Sequence, residues 1–265
     1  MYEHIDLIDT HCHLYSLDRA PTEEIVAHAA NCRVTRMISI GAGSGIESAS
    51  LSVGLADRFP AVFASVGIHP HDAKTHITLD EIATLAHHPK VVAVGETGLD
   101  FFRDWAPPDR QRALFEHTIE FAKQQRKPLI IHCRDAEQET LETLTRLNAR
   151  DVGGVFHCYA GDVELAKRLV DLNFLVSITG TLTFKRADAL RETARAIPLE
   201  QIMLETDAPY MAPEPFRGQS SEPAHVFQIA RKLAEVKGVP LEEIARVTSA
   251  NAERLFGLRP LAHRD

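Results

Sequence analysis

No C-x-x-C pair occurs among the four cysteines, Cys12, Cys32, Cys133 and Cys158. A dithiol or zinc pair at that spacing is excluded, and reduced thiols in a cytoplasmic protein are expected. No apolar run is long enough for a transmembrane helix. The opening MYEHIDLIDTH lacks a basic segment followed by a long apolar stretch, so no signal peptide is expected. Ser/Gly-rich linkers, low-complexity tracts and internal repeats are absent as well. With 265 residues, 45% of them hydrophobic, a single domain over 1–265 with a sizeable core is expected. Positive charge is not in excess: the net charge is -8. That argues against a protein that coats nucleic acid non-specifically by neutralising phosphates. It leaves room for an enzyme whose basic residues are local to one cleft.

Short β-rich runs are present, and they alternate with longer helical patterns. The runs are HIDLIDTH, then 34–42, 61–70, 91–100, 128–135, 153–161, 174–180 and 202–210. Such near-continuous apolar runs fit strands buried on both faces. Between them, DRQRALFEHTIEFAKQQRK places Leu114, Phe115, Ile119 and Ala122 on one helical face, with Asp109 as the expected cap after Pro107 and Pro108. DVELAKRLVDL does the same with Leu165, Ala166, Leu169 and Val170, capped by Asp162. Strand-then-helix units repeated in this way predict an α/β fold, a (β/α)8 TIM barrel. An open doubly wound sheet is the rival, but its first strand would lead into a Gly-rich phosphate turn. Here that place holds THCH.

The ends of these runs carry a consistent chemistry. Alternate residues of a strand point the same way, so His11 and His13 in DTHCHL face one target and Cys12 faces away. Later runs end in His69, Glu96, His132, His157 and Asp207. The C-terminal strand ends of a barrel converge on the face where active sites sit. His11, His13, His132 and His157 with Glu96 and Asp207 form a nitrogen and oxygen set suited to divalent ions such as Mg, Mn or Zn. Six ligands exceed the needs of one tetrahedral zinc; two metal ions sharing a carboxylate would use them all. Cys12, Cys133 and Cys158 adjoin these ligands but point away, as small buried residues. His28, His87, His88, His117, His225 and His263 fall in helical or terminal patterns and are expected to be solvated.

DTHCHL, GIHPH, GETGLDFF, IHCRD, FHCY and ETDAPY, with NAERLFG near the end, together resemble the TatD-like metal-dependent deoxyribonucleases, a group of the amidohydrolase-type barrels. The resemblance spans nearly the whole chain. It implies that His11, His13, Glu96 and Asp207 hold one divalent metal. Glu96, His132 and His157 would hold a second, with Glu96 bridging. It also implies catalytic roles for Asp207 and Glu96, with Asp207 orienting or deprotonating the attacking water. His69 and Arg217 become candidates for contact with a substrate phosphate. His69 could instead support a ligand, and Arg217 could form a helix-entry salt bridge. One motif departs from the family: FRGQSSEP has Gln219 and Ser221 where the family usually has lysine and asparagine. Losing the lysine weakens the case for tight polynucleotide binding. Asn251 is expected to cap the last helix.

The implied activity is hydrolysis of DNA phosphodiester bonds from 3′ ends, favouring single-stranded DNA, by a monomer with no membrane contact. Ester or amide hydrolysis, such as removal of an aminoacyl group from tRNA, is the alternative, because fold does not fix substrate. A non-catalytic metal-binding scaffold is the third reading. Arg103, Arg134, Lys185, Arg186 and Arg217 could form a basic rim or simply a solvated surface. Phe101, Phe102 and Trp105 are expected to pack as a lid on the rim, with base stacking as their alternative.

Overall fold

Residues 5–74 and 78–258 are described by a computed structural model of the chain. The apolar runs become eight parallel strands in one sheet, ordered β1 to β8 as they occur in the chain. They are β1 Leu7–Cys12, β2 Val34–Gly41, β3 Val62–Val66, β4 Val91–Asp100, β5 Leu129–Arg134, β6 Gly154–Phe156, β7 Phe174–Ile178 and β8 Ile202–Leu204. The ring closes between β8 and β1 at a parallel bridge of Cys12 with Ala208, where His13 N donates to Ala208 O at 2.7 Å. Sequential order with closure is the (β/α)8 barrel, and it rules out the open doubly wound sheet.

The outer layer is α1 Thr22–Asn31, α2 Gly45–Arg58, α3 Leu79–Ala86, α4 Pro108–Gln125, α5 Glu137–Arg146, α6 Val163–Asp171, α7 Asp188–Ala196, α8 Val226–Lys237 and α9 Leu241–Phe256. Strands are buried on both faces because two apolar layers cover them. Leu7, Met37, Val94, Leu129 and Phe156 face the helices, whereas Ile8, Ile38, Ala93, Ile130, Val155 and Met203 fill the barrel with Phe256 of α9. Asp162 caps α6 as expected, accepting from Leu165 N at 2.8 Å. Asp109 does not cap α4: Pro107 is the cap and Pro108 the first helical residue, where a missing N–H costs nothing. Asn251 is no cap either. It lies inside α9, buried, and donates to the carbonyls of Leu199 and Ile202 at 2.9 and 2.8 Å, tying that helix to β8.

Two irregularities aim the chemistry. In β1, Asp9 pairs with Met37 and Cys12 with Ser39, so β1 has one extra residue. In β4, Gly95 pairs with Ile130 and Thr97 with Ile131, leaving Glu96 without a partner. An inserted residue reverses which face the following side chains take. Without the insertion, Cys12 would share the inward face of Ile8 and His11 would point at the helices. Beyond Glu96, β4 runs so close to β5 that a Cβ on Gly98 would lie 2.0 Å from His132 O, at φ +139. Only glycine fits there.

Candidate metal centre

His11, His132 and Glu96 lie within their strands, whereas His13, His69, His157 and Asp207 lie just past the ends of theirs. The short β8 stops at Leu204, and Asp207 is fixed by its N–H donating to His11 O at 2.9 Å. Among the described residues, two groups of ligand atoms converge on the two oxygens of Glu96, and His69 and His71 cluster with His132 beside them. His11 Nε2 lies 3.5 Å from Glu96 Oε2 and 3.7 Å from Asp207 Oδ1. His13 Nε2 lies 3.8 Å and 3.7 Å from the same two oxygens. A divalent ion about 2.1 Å from each ligand sets tetrahedral neighbours about 3.4 Å apart, so this spacing suits one ion. On the other side, Glu96 Oε1 lies 2.9 Å from His132 Nδ1 and 2.7 Å from His157 Nε2, and those nitrogens are 3.3 Å apart. The two oxygens of Glu96 thus face the two groups.

The donor set fits a metal on a further observation. Both ring nitrogens of His11 are buried without a hydrogen-bond partner among the described residues. Buried polar atoms are rarely left so unless something else binds them. Burial, and then His11, hold His13 down to about 3. It is therefore a neutral imidazole, the form that ligates. Burial works against ionising Glu96, but His157 and His69 outweigh it and hold its carboxyl well below the usual range. Burial raises Asp207 to about 6, opposed by His11 and His157.

Three supporting residues escaped the sequence reading. Asp100 Oδ2 accepts from His132 Nε2 at 2.9 Å and His71 Nε2 at 2.8 Å, while Oδ1 accepts from the backbone N–H of Phe102 and Arg103 at 3.1 and 3.0 Å. A carboxylate on one imidazole nitrogen fixes the lone pair of the other toward a metal. Glu205 is buried, accepts from Cys158 N and Ser177 Oγ, and lies 3.5 Å from His157 Nδ1. It lies just past the end of β8, two residues before Asp207. Asp9 accepts from Thr206 N at 2.9 Å and from Thr206 Oγ1, bracing β1 against the β8 loop.

His69 stands beside the second group, its Nε2 3.4 Å from Glu96 Oε1. His71 N donates to His69 Nδ1 at 3.1 Å. The proton of neutral His69 is therefore on Nε2, which makes that nitrogen a donor rather than a ligand. The Arg217 guanidinium lies 4.3 Å over the Phe184 ring, and among the described residues it forms no salt bridge of the helix-entry kind.

The cysteines face away. Cys12 Sγ points at Ile38 O, Cys133 lies 3.4 Å from Thr140 Oγ1 and Cys158 lies 3.9 Å from Thr179 Oγ1. Burial pushes the Cys133 and Cys158 thiols up to about 12. His225 is not solvated as expected: it is buried, stacked 4.4 Å over Phe216 and bonded to Ser221. His263 lies outside the described residues. Phe101 packs on the core, but Phe102 and Trp105 are half exposed rather than a closed lid.

Histidines and carboxylates gathered at the strand ends of a barrel define a candidate metal centre. Comparison with known proteins supplies the class. The profile of the family described as TatD related DNase matches residues 8–257. The uncharacterized metal-dependent hydrolase YabD of Bacillus subtilis is 38% identical over 256 residues, covering 94% of this chain and 98% of that protein. The uncharacterized metal-dependent hydrolase TatD of Mycobacterium tuberculosis is 37% identical over 264 residues, covering 95% and 98%. The crystal structure of YjjV, a TatD homologue from Escherichia coli K12, superposes with a TM-score of 0.88 at 31% identity, covering 97% of this chain and all of that one. The chain belongs to the TatD family of metal-dependent hydrolases. No helix among the described residues is long and apolar enough to cross a membrane.

Proposed function

We propose that the protein is a deoxyribonuclease that hydrolyses DNA phosphodiester bonds, releasing nucleotides from the 3′ ends of single strands. The observation that carries this reading is Glu96, whose two oxygens face two separate groups of ligand atoms. His11, His13, Glu96 and Asp207 would hold one divalent ion, and Glu96, His132 and His157 a second. Ions bound there lower the pKa of water and polarise a phosphoryl oxygen. Asp207 orients the attacking water and accepts its proton. His69 donates from Nε2 to a phosphoryl oxygen, a role its fixed tautomer supports. Arg217 contacts a phosphate further along the strand. No serine or cysteine nucleophile is needed, in keeping with the protonated thiols.

The test is nucleotide release from single-stranded DNA with a free or a blocked 3′ end. It is run with EDTA and with added Mg²⁺, Mn²⁺ or Zn²⁺, on the wild type and Glu96→Gln. Metal-dependent release from the free end alone, lost in the variant, is the expected result. No cleavage by a protein shown to contain metal overturns the reading and favours ester or amide hydrolysis, for which aminoacyl-tRNA deacylation is the first assay.

A further inference from the structure

Five large hydrophobic side chains are exposed among the described residues, and four of them stand on two loops beside the metal centre. Phe102 and Trp105, 52% and 53% exposed, lie on the loop after β4; Tyr210 and Met211, 60% and 39% exposed, lie on the loop after β8. The Tyr210 ring is 6.2 Å from the ring of His13. Opposite, Trp105 is 4.5 Å from His71, whose ring is 5.9 Å from that of His132. One aromatic thus stands on each side of the ligand cluster. Guanidinium groups adjoin one of them: Arg134 lies 3.8 Å over the Phe102 ring, and Arg103 lies 5.3 Å from both Phe102 and Trp105.

Exposed rings clustered at a catalytic mouth mark a binding surface. Their flat faces suit a planar apolar group, and the arginines suit an anion beside it. An unpaired nucleotide has both. In a duplex the base faces are already stacked on each other and cannot reach the rings. We infer that Trp105 and Tyr210 are stacking jaws for unpaired bases on either side of the scissile phosphate, with Arg103 and Arg134 on the adjoining phosphates. The inference rests on the nuclease reading and adds the residues that would select single strands.

Trp105 is the only tryptophan in the chain, so its fluorescence reports on one jaw directly. The metal-loaded protein is titrated with a phosphorothioate oligothymidylate, which resists cleavage, and with a base-less phosphorothioate strand of equal length. Stacking is worth enough per base for a loss of about tenfold in affinity at each ring. The base-bearing strand should quench Trp105 and bind at least about tenfold more tightly than the base-less one. By anisotropy of a labelled strand, Tyr210→Ala and Trp105→Ala should each lose about tenfold for the base-bearing strand and little for the base-less one. Trp105→Phe should restore most of the loss. Equal binding and equal quenching by the two strands, or equal losses on both in the alanine variants, would overturn the stacking role. A base-dependent strand whose ordinary phosphodiester form is never cut would leave the jaws standing and sink the nuclease reading. Cleavage without base dependence would do the reverse.

Discussion

Replacing Asp100 by Asn should weaken metal binding without touching any proposed ligand atom. Asp100 uses two oxygens to satisfy four donors: the imidazole N–H groups of His71 and His132 on Oδ2 and the N–H groups of Phe102 and Arg103 on Oδ1. An amide keeps one acceptor and turns the other into a donor, so two of the four donors meet an N–H group whichever way it lies. If the amide nitrogen faces the imidazoles, His132 takes its proton on Nδ1, the atom facing Glu96. If it faces the backbone, the loop after β4 loses its anchor. Hydrogen bonds to a charged group are worth about 1.5–3 kcal/mol each, so losing two implies a stability cost of roughly 3–6 kcal/mol. Loss of a carboxylate behind a ligating histidine lowers metal affinity by about 10–100-fold, or roughly 1.4–2.7 kcal/mol. The assay is competition for metal against a chelator of known affinity, performed well below the melting temperature. His71→Phe is the control, since it leaves the Asp100–His132 pair intact and should change affinity by less than about threefold. Wild-type affinity in a folded Asp100→Asn protein would refute the assignment of His132 Nδ1 as a metal-facing lone pair.

Asp207→Asn should retain part of the bound metal but lose about 10²–10⁴-fold in turnover, as removal of a proton acceptor does; metal analysis beside steady-state rates checks it, and full activity would exclude that role. Cys133→Ala should leave metal content unchanged, because the thiol faces Thr140; loss of metal would show that its direction has been misassigned. Acid stability should depend on His225. Burial holds its pKa at about 4 against an ordinary 6.5, with Glu222 raising it and Arg19 and His28 lowering it. Between those values the unfolded chain binds the extra proton, so stability present above pH 6.5 is lost as pH falls toward 4. With solvent screening the loss is at most roughly 2 kcal/mol. Denaturant titrations of wild type and His225→Gln at both ends of that window should therefore converge toward acid pH, and a constant difference would count against it.

The order of strands and helices, and the kinds of side chain at each strand end, are local properties of the chain and were legible in it. So was direction wherever a strand alternates regularly. From Ile130 inside the barrel, two steps along β5 bring His132 to the same side. The same step carries Val155 of β6 to His157, whereas Asp207 lies three residues past the end of β8 at positive φ and is placed by its bond to His11. Strands β1 and β4 do not obey that rule. His11, His13 and Glu96 reach the centre because each strand takes in one extra residue against its neighbour. A bulge is a relation between two strands, so neither sequence segment reveals it alone. The His69 tautomer, the hub at Asp100 and the anchoring of α9 by Asn251 were hidden for the same reason. Each depends on a partner that only the closed barrel brings within hydrogen-bonding distance.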